Sequence, residues 1–287
     1  MRMHRVVAGM LVALGIDTAG TARSAPEPGT VSLSGRLGWT TLLLGDVNTS
    51  IRSARTAFRA DTAVSDIVWD EFGGAPNLGM DVDVQITRKI SAGLGFSYQR
   101  GHRRHEAARA FFDTLTFDFA NEQFEENPSF HAWDVVGTFG LWVPSAPGLH
   151  FGLQLGFIRG TYENQTILFS ETNAISRIEF TQGSWDGTGP VLGAFTGYEQ
   201  SLSGNLAFSA RTGYRYRNIR RPSGLFGLTG FDDNGHYRFF MSGPMAVYRI
   251  DRQVDPDGEL VHGSPMDLDL GGFYFNIGLS IRLRGAE

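Results

Sequence analysis

The sequence predicts an all-β fold, an antiparallel up-and-down transmembrane β-barrel of eight strands with long extracellular loops. Three observations predict it. Eight segments alternate apolar and polar residues with a period of two. The connections between them alternate strictly between short and long. The N-terminus carries the parts of an export address.

The chain has 287 residues, a net charge of −5 and no cysteine, with 12% aromatic and 19% charged residues. It is too apolar and aromatic for a disordered chain. The acidic balance argues against a nucleic-acid partner, which calls for a basic face. The lack of cysteine excludes a disulfide scaffold, a Cys-ligated zinc and a Cys nucleophile. Lys89 is the only lysine, and every other basic side chain is arginine.

At the N-terminus, Arg2 and Arg5 precede the apolar run Val6–Ile16, and small residues follow from Ala19 to Ala25. This is the order of a secretory signal peptide, expected over residues 1–24, with Ala22-Arg23-Ser24 as a cleavage site and Thr18-Ala19-Gly20 as the other candidate. Its removal takes the net charge to about −7, because Arg2, Arg5, Arg23 and Asp17 leave with it. The apolar run is too short to span a bilayer, which needs about 20 residues as a helix. Residues 25–287 are expected to form one barrel domain.

The strands follow in order. In the first, Val31, Leu33, Leu37, Trp39 and Leu43 alternate with Ser32, Ser34, Arg36, Gly38 and Thr40. In the second, Leu78, Met80, Val82, Val84 and Ile86 alternate with Asp81, Asp83, Gln85 and Thr87. Ile90 to Tyr98 and Trp133 to Val143 make the third and fourth, the latter with Asp134 and Thr138 on the polar face. Leu149 to Phe157 and Pro190 to Glu199 make the fifth and sixth. The seventh sets Leu206, Phe208, Ala210, Tyr214 and Tyr216 against Ser209, Arg211, Gly213, Arg215 and Arg217. The eighth, Phe273 to Leu283, has one wholly apolar face and one small or polar face. Each strand thus expects a different solvent on each side.

Short turns are expected at Arg88–Ser91, Pro144–Gly148 and Gln200–Gly204, with long connections over 45–76, 102–129, 163–188 and 218–268. Placing every long loop at one end suits a membrane barrel with short periplasmic turns. Hydrocarbon leaves no water for backbone polar groups, so strands cross it only as a closed sheet. The apolar face then meets lipid, and the Gly, Ser, Arg and Asp face fills the narrow lumen. Tyr98, Trp133, Tyr214 and Phe273 fall where an outer aromatic girdle belongs, and Trp142 and Tyr198 near the inner one, although Trp142 has lumen parity. A lipocalin-like soluble barrel would invert the two faces. Ten strands are the alternative count, if Tyr237–Met241 and Met245–Val254 also cross.

With its leader, eight alternating segments, three short turns and C-terminal ladder, the chain over residues 31–284 resembles the small bacterial outer-membrane barrels of the OmpA/OmpW-like superfamily. The ladder stops at Leu283 and the chain runs on through Arg284–Glu287, where such barrels end in an aromatic residue. The resemblance is architectural and carries over no functional residue. It implies outer-membrane lipids and lipopolysaccharide as surroundings, and the barrel assembly machinery as a partner in biogenesis. Members serve as anchors, adhesins, narrow channels, carriers of hydrophobic ligands or lipid A-modifying enzymes.

Among the loops, Val47, Ile51, Ala54, Arg55 and Phe58 recur at helical spacing behind Asp46, a candidate N-cap. Such a helix is either a lid on the barrel mouth or a surface helix. Residues Thr166–Ser170 and Ile175–Thr181 read as a hairpin continuing strands five and six, and Met245–Val254 with Glu259–His262 as another. Phe111, Phe112, Phe117, Phe119 and Phe124 stand among acidic residues in the second loop.

Two sets of site residues follow. Arg36, Arg211 and Arg215 share lumen parity with Asp81, Asp83 and Asp134, and buried charges need partners. They form either a salt-bridge network that closes the lumen or the walls of a gated ion path. Arg100, Arg103, Arg104, Arg215, Arg217, Arg220 and Arg221 cluster near the outer strand ends. Of these, Arg103, Arg104, Arg220 and Arg221 are candidate contacts for lipopolysaccharide phosphates, since guanidinium matches phosphate geometry; solvated rim charge is the plainer reading.

Catalytic chemistry has little support. His102 and His105 beside Glu106 are half a metal site only on a helix, and local spacing places no serine with His131 and Asp134 as a triad, although a His–Ser–acid triad can assemble from distant loops. No phosphate loop, nucleotide fingerprint or zinc motif occurs, so no cofactor or metal is expected. The expectation is a non-enzymatic structural or surface-interaction barrel with its lumen closed by Arg/Asp pairs. A narrow channel or carrier for small hydrophobic solutes is the alternative, and a lipid A-modifying enzyme the second.

Overall fold

A computed structural model describes residues 26–113, 118–171, 176–232, 235–244, 246–247 and 264–283. The expected leader, Phe117 and the hairpin expected from Met245 to His262 lie outside them, apart from Ala246 and Val247. In chain order, β1 (Val31–Thr41) leads into helix α1 (Gly45–Ala60) and the short β2 (Val64–Val68). Strands β3 (Gly74–Gln85) and β4 (Ile90–His102) follow, then β5 (His105–Asp113), β6 (Asp118–Glu126) and β7 (Ser129–Trp142). Next come the long β8 (Leu149–Glu171) and β9 (Ser176–Ser203), then β10 (Leu206–Ile219). Strands β11 (Ser223–Asp232), β12 (Gly235–Pro244), β13 (Ala246–Val247), β14 (Ser264–Pro265) and β15 (Leu268–Asp269) precede the closing β16 (Gly272–Leu283).

Eight of these close into an antiparallel ring, β1-β3-β4-β7-β8-β9-β10-β16 and back to β1. The last joint sets Val31 opposite Leu283 and Thr40 opposite Tyr274. The ring is thus a barrel of eight strands. The residues around Tyr237–Met241 belong to β12, which pairs with β11 outside the ring, so the ten-strand alternative does not hold.

The two faces of the ring differ as its alternation requires. Leu37, Met80, Leu94, Leu153, Leu155 and Phe273 point outward and are exposed, Leu153 at 64%. Residues of the opposite parity point inward: Arg36, Asp81, Ser97, Asp134, Gln154 and Ser280 are buried. The core is therefore polar and the surface apolar, the reverse of a water-soluble barrel. Narrowness is built in by glycine. A Cβ on Gly278 would run into the Gly35 carbonyl and the Arg36 stem, and one on Gly95 into the Asp81 carboxylate.

Beyond one rim the sheet does not stop. β8 and β9 stay paired from Leu149/Tyr198 to Glu171/Ser176, past every other barrel strand. The β6–β5–β2 ribbon adds to β8 on one side, and β11–β12 adds to β9 on the other. The second loop is therefore a hairpin, β5–β6, which sequence alternation did not expose. At the opposite rim the connections are short, and residues 203–206 turn through Gly204 at φ 39, in the left-handed region that glycine tolerates.

Helix α1 covers the mouth on the loop side. Val47, Ile51, Ala54 and Phe58 share one face, Asp46 in the first turn and Arg59 in the last complement its dipole, and Val47 and Ile51 are buried. Leu44 is the N-cap residue, with φ 34; Asp46 is not, and its carboxylate instead accepts the Asp267 N–H. The helix packs on a cluster that includes Phe72, Phe130, Ile158, Tyr162, Ile219, Leu268 and Leu270, reaching down inside the ring to Val136 and Val191.

Candidate functional site

The lumen is the site, and β10 supplies most of it. Residues 211, 215 and 217 share inward parity, so one strand aims three guanidinium groups across the barrel. Arg211 reaches Asp81 on β3 at 3.1 Å and stands 4.0 Å from Asp83. Arg215 lies 3.5 Å from Asp134 on β7. Arg217 lies 2.6 Å from the same carboxylate. From β1, Arg36 pairs with Asp81 at 2.5 Å, so Asp81 is held between two arginines. The six residues singled out for the lumen thus stand in two groups, Arg36, Arg211, Asp81 and Asp83 in one and Arg215 with Asp134 in the other.

Neutral side chains complete the lattice. Arg215 donates to Gln154 at 2.7 Å and to the Ser97 hydroxyl at 3.1 Å, and Arg217 donates to Gln99 at 2.8 Å. Ser97 donates to Asp134 at 2.8 Å. The Arg215 guanidinium lies over the Tyr274 ring and Arg211 over Phe195, at 4.6 and 4.3 Å. A carboxylate shared by two buried cations, each hydrogen-bonded elsewhere, is the arrangement that offsets desolvation. Sequence parity marks Ser97, Gln99 and Gln154 as lumen residues, and nothing local marks them as partners. Arg217 is not at the solvated rim; it is 1% exposed.

Below this layer, toward the short turns, Arg282 pairs with Glu199 at 2.6 Å. Trp142 lies inside, stacked on His150 at 4.6 Å, and is no part of an inner girdle. Between these groups and Arg36 is a small cavity of about 30 Å³, room for one or two water-sized particles.

Above it, the cap is anchored by polar side chains. Asn48 of α1 donates to the Phe72 carbonyl at 3.0 Å and accepts the Phe72 N–H at 2.9 Å, as a strand neighbour would. His105 is fully buried and stacked on Trp69, its ring nitrogens 3.0 Å from the Glu126 carboxylate and 2.9 Å from the Asp70 carbonyl. It ties the β5–β6 hairpin to the segment after α1. His102 is exposed and takes no part.

The rim candidates separate. Arg103 donates to the Glu71 carbonyl at 3.2 Å and lies over the Phe72 ring, and Arg104 pairs with Glu106 and Glu125. Arg220 and Arg221 are exposed. His131 and Asp134 stand on opposite faces of β7, one outside the ring and one within it, so they form no catalytic pair.

No protein-family model matches the chain, and no curated protein matches it. Among solved structures the chain is similar to a major outer membrane protein from Thermus thermophilus, at 11% identity, over 89% of this chain and 99% of that one, with a TM-score of 0.40. It is similar to CarO2 of Acinetobacter baumannii at 10% identity, over 90% and 100% of the two chains, with a TM-score of 0.32. It is also similar to the outer membrane protease OmpT of Escherichia coli at 9% identity, over 89% and 97%, with a TM-score of 0.24.

Proposed function

We propose that this chain is a non-conducting barrel of the bacterial outer membrane, exported by its N-terminal address and inserted by the barrel assembly machinery. Its work is structural or surface interaction, done by the sheet that rises from the loop-side rim. The filled lumen carries the reading. A solute entering from outside meets the apolar cluster under α1, then the Arg211–Asp81 and Arg217–Asp134 ties that cross the barrel. Neither obstacle offers a continuous aqueous path.

The outward apolar band supports the membrane assignment. Exposed Leu37, Leu94, Leu153 and Leu279 would aggregate in water and are at home in hydrocarbon. Above them, exposed Arg220 and Arg221 are suited to lipopolysaccharide phosphates. Arg103 and Arg104 are engaged within the cap and suit that role less well.

The test is single-channel conductance of the refolded chain, run beside the gel shift that separates folded barrels from heated ones. A heat-shifted band with no current supports the closed barrel. Steady openings replace it with the narrow-channel reading. A chain soluble without detergent and without a heat shift removes the membrane assignment.

A further inference from the structure

His105 stands between two acceptors, and a neutral imidazole has one N–H to give. Its Nε2 lies 2.9 Å from the Asp70 carbonyl, which can only accept, so that nitrogen carries a hydrogen. Its Nδ1 lies 3.0 Å from Glu126 Oε2. The other carboxylate oxygen, Oε1, accepts an N–H of the Asn164 side chain at 2.6 Å. Nothing in this set supplies the hydrogen that the Nδ1–Oε2 contact needs. It enters as a proton, either on Nδ1, giving imidazolium beside carboxylate, or on Oε2, giving carboxylic acid beside imidazole. In both forms the pair holds one proton more than a neutral histidine beside an ionised glutamate.

The surroundings offer no substitute for that proton. His105 is closed to solvent, with its ring stacked on Trp69. The cations near it are engaged elsewhere. Arg55 of α1 pairs with Glu71 and donates to the Trp69 carbonyl. Arg103 donates to the Glu71 carbonyl, and Arg104 pairs with Glu106 and Glu125. From β8, Tyr162 and Asn164 face the Glu126 carboxylate. Phe58 and Phe124 complete the wall against Trp69 and are apolar.

We propose that His105 and Glu126 form a proton-gated latch, which fastens the base of the β5–β6 hairpin to the segment after β2 while the shared proton is present and releases it when the proton leaves. Without the proton, a carboxylate oxygen faces a bare ring nitrogen, two acceptors in a buried contact. The latch is therefore shut at low pH and opens as pH rises. Opening frees Trp69, which also packs on Phe58 of α1 and Phe124 of β6, so the seam between cap and hairpin loosens with it. One substitution separates the proton from the contact. In Glu126→Gln the amide oxygen keeps the Asn164 bond and the amide N–H donates to Nδ1. A neutral His105 then satisfies every partner, and the latch stays shut without the extra proton. His105→Phe keeps a ring beside Trp69 and loses both bonds.

The experiment is hydrogen exchange of the β5 and β6 amides in the full refolded chain in detergent, corrected for intrinsic rate, from about pH 5 to about pH 9, a span that brackets ordinary histidine titration. In the native chain, opening should grow with pH and approach about tenfold per pH unit, the limit for one proton. In Glu126→Gln it should stay low across the span, and the difference between the two chains is the share of the pair. In His105→Phe the hairpin should be open throughout. A native slope that Glu126→Gln retains overturns the latch. So does a native hairpin that opens equally at every pH, which decides the matter even if His105→Phe fails to show the folded heat-shifted band.

Discussion

Arg217 on β10 reaches across the lumen to Asp134 on β7, Nη2 to Oδ2 2.6 Å, with both side chains almost wholly removed from solvent. Arg215 uses the same carboxylate. Asp134→Asn therefore strands two cations at once. The expected loss is about 3–5 kcal/mol, the usual penalty for an uncompensated buried charge. Arg217→Met removes a cation and leaves Arg215 paired, so it should cost clearly less. Urea unfolding in lipid vesicles ranks the two, and equal losses would deny that the carboxylate is shared.

The lumen is obstructed twice, and the two obstacles are separable. Replacing residues 45–60 by a flexible linker removes α1 and leaves the arginine layer. That variant should still carry no current. Adding Arg211→Ser, Arg215→Ser and Arg217→Ser should open it. Planar-bilayer recording checks this, and current from the α1 replacement alone would assign the whole seal to the cap.

Leu153, the fifth residue of β8, faces outward where that strand pairs with β7 in the ring, and is 64% exposed. If lipid surrounds it, Leu153→Arg should destabilise the barrel by about 2–4 kcal/mol in bilayers. In a water-soluble barrel the same change would improve solubility at little cost. Unfolding in vesicles gives the sign.

Asn48 pairs both ways with the Phe72 backbone. Asn48→Ala leaves a buried donor and acceptor unmet, each worth about 1–3 kcal/mol. The cap should loosen without the barrel unfolding. Arg52, Arg55 and Arg59 put trypsin sites in α1, so limited trypsinolysis should cut the variant there well before the native chain. Unchanged cleavage would mean that the apolar face alone holds the helix.

Where β15 and α1 meet, beyond the eight-strand ring, burial pushes the Asp269 carboxyl up. The Gly271 N–H pulls against that rise, and Asp46 and Asp267 add to it. The closed cap therefore binds this proton more tightly than the open one. Its contribution is present in full below the ordinary carboxylate range and is lost as pH rises through the raised value. The group is partly solvated, so the effect should stay below about 1 kcal/mol. Hydrogen exchange in α1, corrected for intrinsic rate, should show opening that grows with pH. Asp269→Asn should flatten that slope while keeping an oxygen for the Gly271 N–H.

The ring was legible because its faces meet different solvents. Phe273, Phe275, Ile277, Leu279, Ile281 and Leu283 cannot alternate with Asn276 and Ser280 for any cheaper reason. Parity also sorted Arg36, Arg211, Arg215, Asp81, Asp83 and Asp134 onto one side. It says nothing of height. Arg217 reads equally well as rim charge until β15 is seen covering the end of β10. The cap was less legible for another reason. The β5–β6 pairing is set by a partner on β8 far along the chain, and its own residues carry no clean period. Asn48 looks like a surface residue of an amphipathic helix, and only the approach of Phe72 makes it an anchor.

The unbroken β8–β9 ladder has a mechanical meaning. At about 3.4 Å per residue, a 23-residue strand measures roughly 75 Å, well over twice the hydrocarbon thickness of about 30 Å. It passes from one rim to the outer tip without a bulge or hinge in the pairing. The upper sheet is therefore a mast stepped into the hull of the barrel. Whatever touches its top is held at a set height and angle to the ring, and a sideways load there is borne by all eight of its strands.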